Sequence, residues 1–233
     1  MKPHLFSDVA TLRSELAGQK VAIVGSGPGV LENEPGFIDS HDVVVRVNNY
    51  KTSRPAGVRT DVHYSFYGGS IRKGRAELIG DGVRLCVNKC PDAQFIESEW
   101  HRINGKMEGV DFRYIYRRRA EWWFCPTFVP SVEHFLRGFK LLGGHIPTTG
   151  FSAILDVLEA APSEVYITGF DFFTSGVHNV NEPWRAGRGD DPIGHVPAVE
   201  LAWLRDNLRA HPISCDKRLA DIIEGKPRAV LDI

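Results

Sequence analysis

Three short stretches carry side chains whose types and spacing could do chemistry. The apolar run at 21–24 leads into Gly25-Ser26-Gly27-Pro28-Gly29, and a strand that exits into glycines lets backbone N–H groups approach an anion with no Cβ in the way. Pro147-Thr148-Thr149-Gly150 stands directly ahead of a segment with helical periodicity. Either threonine can cap that helix, whose N-terminus then presents N–H groups and positive dipole to an anion. His195 precedes Pro197 and Glu200, which places the histidine just outside a helix start and the glutamate in its first turn. Imidazole is the side chain best matched to take a proton from a hydroxyl near neutral pH, while Glu200 either orients the ring or satisfies N-terminal amides. His178 follows the stretch Ile167-Thr168-Gly169-Phe170 in a loop, and reads equally as a donor to a leaving phosphate or as a surface histidine.

The glycine turn invites a dinucleotide reading and then departs from it. Gly25 and Gly27 fit Gly-x-Gly-x-x-Gly, but the third position is Val30, and Pro35 and Gly36 oppose a long helix behind it. The next strand ends in Asn48, where a nicotinamide site wants an acid for the ribose hydroxyls. An amide offers both donor and acceptor, which suits a nucleotide sugar or base.

The elements that must position these groups follow from hydrophobic period. Short β-branched or aromatic runs at 21–25, 43–47, 62–66, 83–87, 112–116 and 165–170 read as buried strands. Phe151, Ile154, Leu155 and Leu158 recur at helical spacing with Asp156 and Glu159 on the opposite face; Leu201, Leu204 and Leu208 mark a second helix, and 132–142 a third, stopped by Gly143-Gly144. Strands alternating with helices predict an α/β domain whose mostly parallel sheet is covered on both faces. The 233 residues contain no repeat or linker and read as one domain.

Composition excludes several function classes. A net charge of −1 gives no bulk attraction to nucleic acid or anionic lipid, so an anionic ligand must be held locally. The four cysteines form no C-x-x-C pair, the N-terminal stretch has no signal-peptide run, and no window reaches the roughly 20 apolar residues a membrane span needs. The expectation is a reduced, cytoplasmic protein with at most peripheral membrane contact. Arginines 117–119 beside Trp122, Trp123 and Phe124 either grip a sugar acceptor or a membrane, or are solvated charges next to core aromatics. The glycine-rich stretch with Arg185, Arg188, Asp190 and Asp191 is placed to act as a lid.

With these residues in view, the stretch VAIVGSGPGVLENEPGFIDSHDVVVRVNNYKTSRPAGVRTDV resembles the large motif of the eukaryotic-type sialyltransferases, glycosyltransferase family 29. PTTGFSAILDVLEAAPSEVYITGF is similar to the family's small motif, HVPAVE to its very short motif His-x-x-x-x-Glu, and HNVNEPW loosely to its third. The cysteine that opens the large motif in the animal enzymes is Lys20 here, and its partner region APSEV has none; with no anchor or stem, this pattern fits a soluble bacterial member. The resemblance implies a single-domain, GT-A-like (Rossmann-type) fold and inverting transfer of a sialic acid or related keto-sugar acid from a CMP-activated donor to a hydroxyl of a glycan or lipid-linked glycan. It assigns His195 and His178 to catalysis, and Gly25, Ser26, Gly27, Asn48, Thr148, Thr149, Gly150, Gly169 and Phe170 to the donor. No Asp-x-Asp occurs in the chain, and a monophosphate leaving group needs less neutralisation than a diphosphate, so no metal is expected. A nicotinamide or flavin oxidoreductase and a non-catalytic CMP-sugar binder are the rival readings.

Overall fold

The computed structural model describes residues 5–67, 73–93, 113, 124–174 and 195–226. Eight strands, β1 (Leu5–Phe6), β2 (Lys20–Val24), β3 (Val43–Val47), β4 (Val62–Ser65), β5 (Leu85–Asn88), β6 (Thr127–Phe128), β7 (Glu164–Thr168) and β8 (Ile213–Cys215), form one sheet in the order β1-β6-β5-β4-β3-β2-β7-β8. Every neighbouring pair is parallel. The helices are α1 (Val9–Ser14), α2 (Arg75–Gly80), α3 (Val132–Leu141), α4 (Thr149–Glu159), α5 (Pro197–Asn207) and α6 (Lys217–Ile223). The expected α/β architecture holds, with the sheet wholly parallel among the described residues. The run at 112–116 lies outside them except for Arg113, and the run expected at 83–87 forms a strand only from Leu85.

Strand composition explains burial on both faces. Along β2, Val21 and Ile23 join one core with Leu12, Val45, Ile154 and Val157, while Ala22 and Val24 join another with Val30, Ile38, Val44 and Tyr166, as the two-residue period requires. Helix α4 lies against β2, β3 and β4. One sequence expectation fails on it. Asp156 is not on a solvated face but 5% exposed, its carboxylate accepting from Tyr64 (2.7 Å), His134 Nε2 (2.9 Å) and Arg137 Nη2 (2.6 Å). These partners hold its acid well ionised, below the usual carboxylate range despite burial. Helical period reported the apolar stripe, but not that α3 would bring a histidine and an arginine over the polar one.

Chain order sets where a ligand can bind. From β2 the chain steps through β3, β4, β5 and β6 in one direction, then returns to add β7 and β8 on the other side of β2. The order therefore reverses between β2 and β7, and the crevice beyond the carboxyl ends of those strands is the topological switch point, where open parallel sheets bind ligands. The glycine turn after β2, Asn48 after β3, Gly169 after β7 and the N-terminus of α4 all belong to that edge.

Candidate active site

The glycines at the switch point do something other than bare their amides. Gly25 N–H donates to Thr168 O (2.8 Å) and Gly27 N–H to Gly169 O (2.7 Å), which extends the β2–β7 pairing past both strand ends. Gly169 has φ +72°, and its N–H donates to Asp216 Oδ2 (2.8 Å), the residue that caps α6 through Leu219 N–H. A Cβ on Gly29 would stand 2.6 Å from the Asp216 carboxylate. Gly25 and Gly27 thus allow close packing of two strand ends, and their amides are spent on the end of β7. Half-buried Ser26 between them makes no hydrogen bond among the described residues, and its amide and hydroxyl are what this turn has to offer a ligand.

Asn48 sits in the left-handed region at φ +52°, a conformation that asparagine tolerates better than most side chains. Its N–H donates to Tyr64 O (3.0 Å), its carbonyl accepts from His63 Nε2 (2.9 Å) and its Oδ1 accepts from Ser65 Oγ (3.3 Å). The amide nitrogen has no partner among the described residues and is the end available to a nucleotide. His63, fully buried, has its imidazole pushed down to about 4 by desolvation. The folded protein therefore resists a proton that the unfolded chain takes up below about pH 6.5. The stability gained is complete above that pH and is lost as pH falls toward 4, a change of roughly 3 kcal/mol. Melting curves between pH 7 and 4 should show this slope, and His63→Gln should flatten it; an unchanged slope in the variant would assign the acid sensitivity elsewhere.

The segment 146–148 is held at three successive residues by three polar side chains. Ile146 O accepts from His195 Nδ1 (2.7 Å), Pro147 O accepts from Lys89 Nζ (2.5 Å), and Thr148 donates its N–H and its hydroxyl (2.9 Å) to the two oxygens of Glu200. Thr148 is the N-cap of α4, its Oγ1 accepting from Phe151 N–H (3.1 Å). Its side chain is fully engaged, so the first-turn amides of Thr149 and Gly150 are what α4 presents to an anion. Gly150 packs directly against the Phe170 ring. Because a carbonyl only accepts, His195 Nδ1 carries the proton and Nε2 is the basic nitrogen. His195 does precede α5, with Pro197 and Glu200 in its first turn. Glu200, 1% exposed, holds Thr148 at the start of α4, and the Ile146 carbonyl holds the His195 ring.

Sequence reasoning passed over Lys89 and Asp216, both buried at strand carboxyl ends. The signal was available: a lysine two residues after the apolar run 85–87 and an aspartate between a strand and Lys217 fall on the binding edge of a parallel sheet. Conversely, Asp39 and Arg46 of the large motif hold the loop behind β3. Asp39 accepts from the N–H groups of Val58 and Arg59, and Arg46 donates to Ala56 O and Arg59 O. His178, the 185–191 stretch and Trp122 and Trp123 lie outside the described residues; Phe124 packs beside a core that includes Tyr50, Cys86 and Phe135. Among the described residues no helix is long and apolar enough to cross a membrane, and no three His, Cys, Asp or Glu side chains converge.

No protein-family model matches the chain, and no curated protein sequence matches it significantly. Solved structures do match, sialyltransferases among them. A mammalian sialyltransferase, solved with Gal-beta-1-3GalNAc-ortho-nitrophenol, is 19% identical over 91% of this chain and 74% of its own, with TM-score 0.54. CstII from Campylobacter jejuni, solved with cytidine-5'-monophosphate, is 14% identical over 89% of this chain and 84% of its own, with TM-score 0.55. The alpha-2,3-sialyltransferase from Campylobacter jejuni in apo form is 13% identical over 91% and 80%, with TM-score 0.53. At these identities the likeness is one of fold.

Proposed function

We propose that this protein is an inverting, metal-independent glycosyltransferase that moves sialic acid or a related keto-sugar acid from a CMP-activated donor to a hydroxyl of a glycan or lipid-linked glycan. The observation that carries the reading is His195, placed at a helix start on the switch-point edge with Nδ1 fixed on Ile146 O, the tautomer in which Nε2 is the basic nitrogen. Nε2 takes the acceptor's proton as its oxygen attacks the anomeric carbon from the face opposite the phosphate. The Ser26 amide, the Asn48 side chain and the first-turn amides of α4 hold the cytidine, the phosphate and the sugar carboxylate, and negative charge growing on the phosphate is stabilised by that helix end. His178 is assigned to the leaving phosphate. The fold likeness to sialyltransferases solved with CMP supports the donor class. The dinucleotide rival loses ground because the Gly25 and Gly27 amides are already bonded to the β7 end.

Ligand-induced stabilisation tests the reading. CMP should raise the melting temperature more than UMP, GDP or NAD at equal concentration, since selective binding to the native state stabilises it by mass action. Asn48→Ala should weaken CMP binding by roughly 10-fold, the loss of one well-placed hydrogen bond, and EDTA should leave turnover unchanged. Stabilisation by NAD and none by CMP would end the proposal; activity abolished by EDTA and restored by magnesium or manganese would remove its metal-independent part.

A further inference from the structure

Two thiols far apart in sequence meet behind the site. Cys125 Sγ lies 3.5 Å from Cys86 Sγ, with Cys86 in β5 and Cys125 in the segment that leads into β6. The backbones are tied together there, Cys86 N–H donating to Pro126 O (3.0 Å). Bond formation requires the sulfurs to close by roughly 1.5 Å, since a disulfide spans about 2.05 Å. Cys86 is fully buried and Cys125 only partly so, and an external oxidant therefore meets Cys125 first, with Cys86 behind it as the resolving thiol. The chemistry favours the same order: Cys125 is held below its ordinary value, chiefly because the Cys86 S–H can turn to its thiolate, and Cys86 is held well above. Burial raises the other two thiols, Cys90 to about 12 and Cys215 to about 11, which leaves roughly 10⁻³ or less of either as thiolate at pH 8.

The pair does not end in apolar core. Tyr67 shares a core with Cys86, its hydroxyl reaches His63 Nδ1 (3.0 Å) and His63 O (3.3 Å), and His63 Nε2 reaches Asn48 O (2.9 Å). Proton positions along this path follow from its far end. The Asn48 carbonyl only accepts, so His63 carries its proton on Nε2 and Tyr67 donates to Nδ1. Tyr67 and Asn48, both at φ +52°, are strained residues at the two turns this path connects.

We propose that Cys86 and Cys125 are a dithiol modification site that low-molecular-weight disulfides oxidise reversibly, and that the shift of Cys86 in the core it shares with Tyr67 loosens the Tyr67–His63–Asn48 chain. Cys125 thiolate attacks one sulfur of the external disulfide RSSR, forming Cys125–S–SR and releasing RS⁻. Cys86 then gives up its proton and attacks Cys125 Sγ, forming the Cys86–Cys125 bond and expelling the second RS⁻. Two protein thiols are oxidised, one external disulfide is reduced to two thiols, and the two protons from the protein go to the leaving sulfurs. Closing the sulfurs moves Cys86 within the core it shares with Tyr67.

The test is full-length protein treated with excess oxidised glutathione, mapped as peptides without reduction and followed by hydrogen exchange over residues 46–50. The expected result is a Cys86–Cys125 cross-linked peptide, reversed by dithiothreitol and absent from Cys125→Ser, with exchange at the Asn48 amide several-fold faster in the oxidised form. Reversal in the wild-type protein decides the matter should the variant fold poorly. A glutathione adduct on Cys125 with no cross-link would overturn the proposal, and a cross-link that leaves 46–50 unchanged would overturn its link to Asn48. None of these readouts involves CMP, so they stand whatever the donor proves to be.

Discussion

Replacing His195 with alanine is expected to lower kcat by roughly 10²- to 10⁴-fold while CMP affinity stays close to wild type, the signature of a lost proton acceptor that does not hold the donor. The geometry also supplies a sharper variant. Alanine removes two things, the basic Nε2 and the hydrogen bond from Nδ1 to Ile146 O that helps hold the 146–148 strap ahead of α4. Asparagine can place its amide N–H where Nδ1 lies and keep the strap bond, yet has no base to offer. His195→Asn should therefore match His195→Ala in turnover while melting nearer to wild type. The acidic limb of the pH–rate profile, on which the imidazole protonates, should vanish in both. Folded His195→Asn protein with full turnover on an identified acceptor would make His195 a strap residue and remove it from the chemistry.

Which of these features could be read from the sequence depends on how local their causes are. Strand β3 was legible to its ends because five successive β-branched or buried positions, 43–47, sit between turn residues. The short edge strands β1 and β6 were not, since two residues carry no period and pairing with a neighbour alone makes them strands. Likewise, a cap could be placed at Thr148 or Thr149 from their position ahead of an amphipathic run, because capping is a contact within one turn, and the structure gives it to Thr148. Its clamp by Glu200, 52 residues away, has no local signal. The glycines show the same division. That Gly25 must be small was readable, but whether a ligand or another strand end fills the space above it depends on Gly169, brought there by the β2–β7 pairing. Motif spacing found the correct edge of the sheet, and tertiary packing decided which atoms on that edge remain available.

The second large effect follows from that division. Gly25→Ala is expected to destabilise the fold by about 4 kcal/mol or more, a large part of the roughly 5–15 kcal/mol that a domain has. The added Cβ would lie 2.3 Å from Gly169 O and 2.9 Å from Gly169 C, and both are backbone atoms held by ladder bonds on one side and by Asp216 on the other. No rotamer change relieves such a contact; the β2 and β7 ends must separate, which breaks the Gly25–Thr168 and Gly27–Gly169 hydrogen bonds. Gly150→Ala makes the control. Its Cβ would lie 2.4 Å from Phe170 Cε1, the far end of a half-buried ring that can turn aside, so the cost should be much smaller. Urea unfolding of both variants gives the comparison, and Ser26→Ala completes it, since loss of that hydroxyl should leave stability near wild type. If Gly25→Ala instead melts like wild type and loses only CMP affinity, then the strand ends are not locked together in solution, and the glycine amides face the ligand after all.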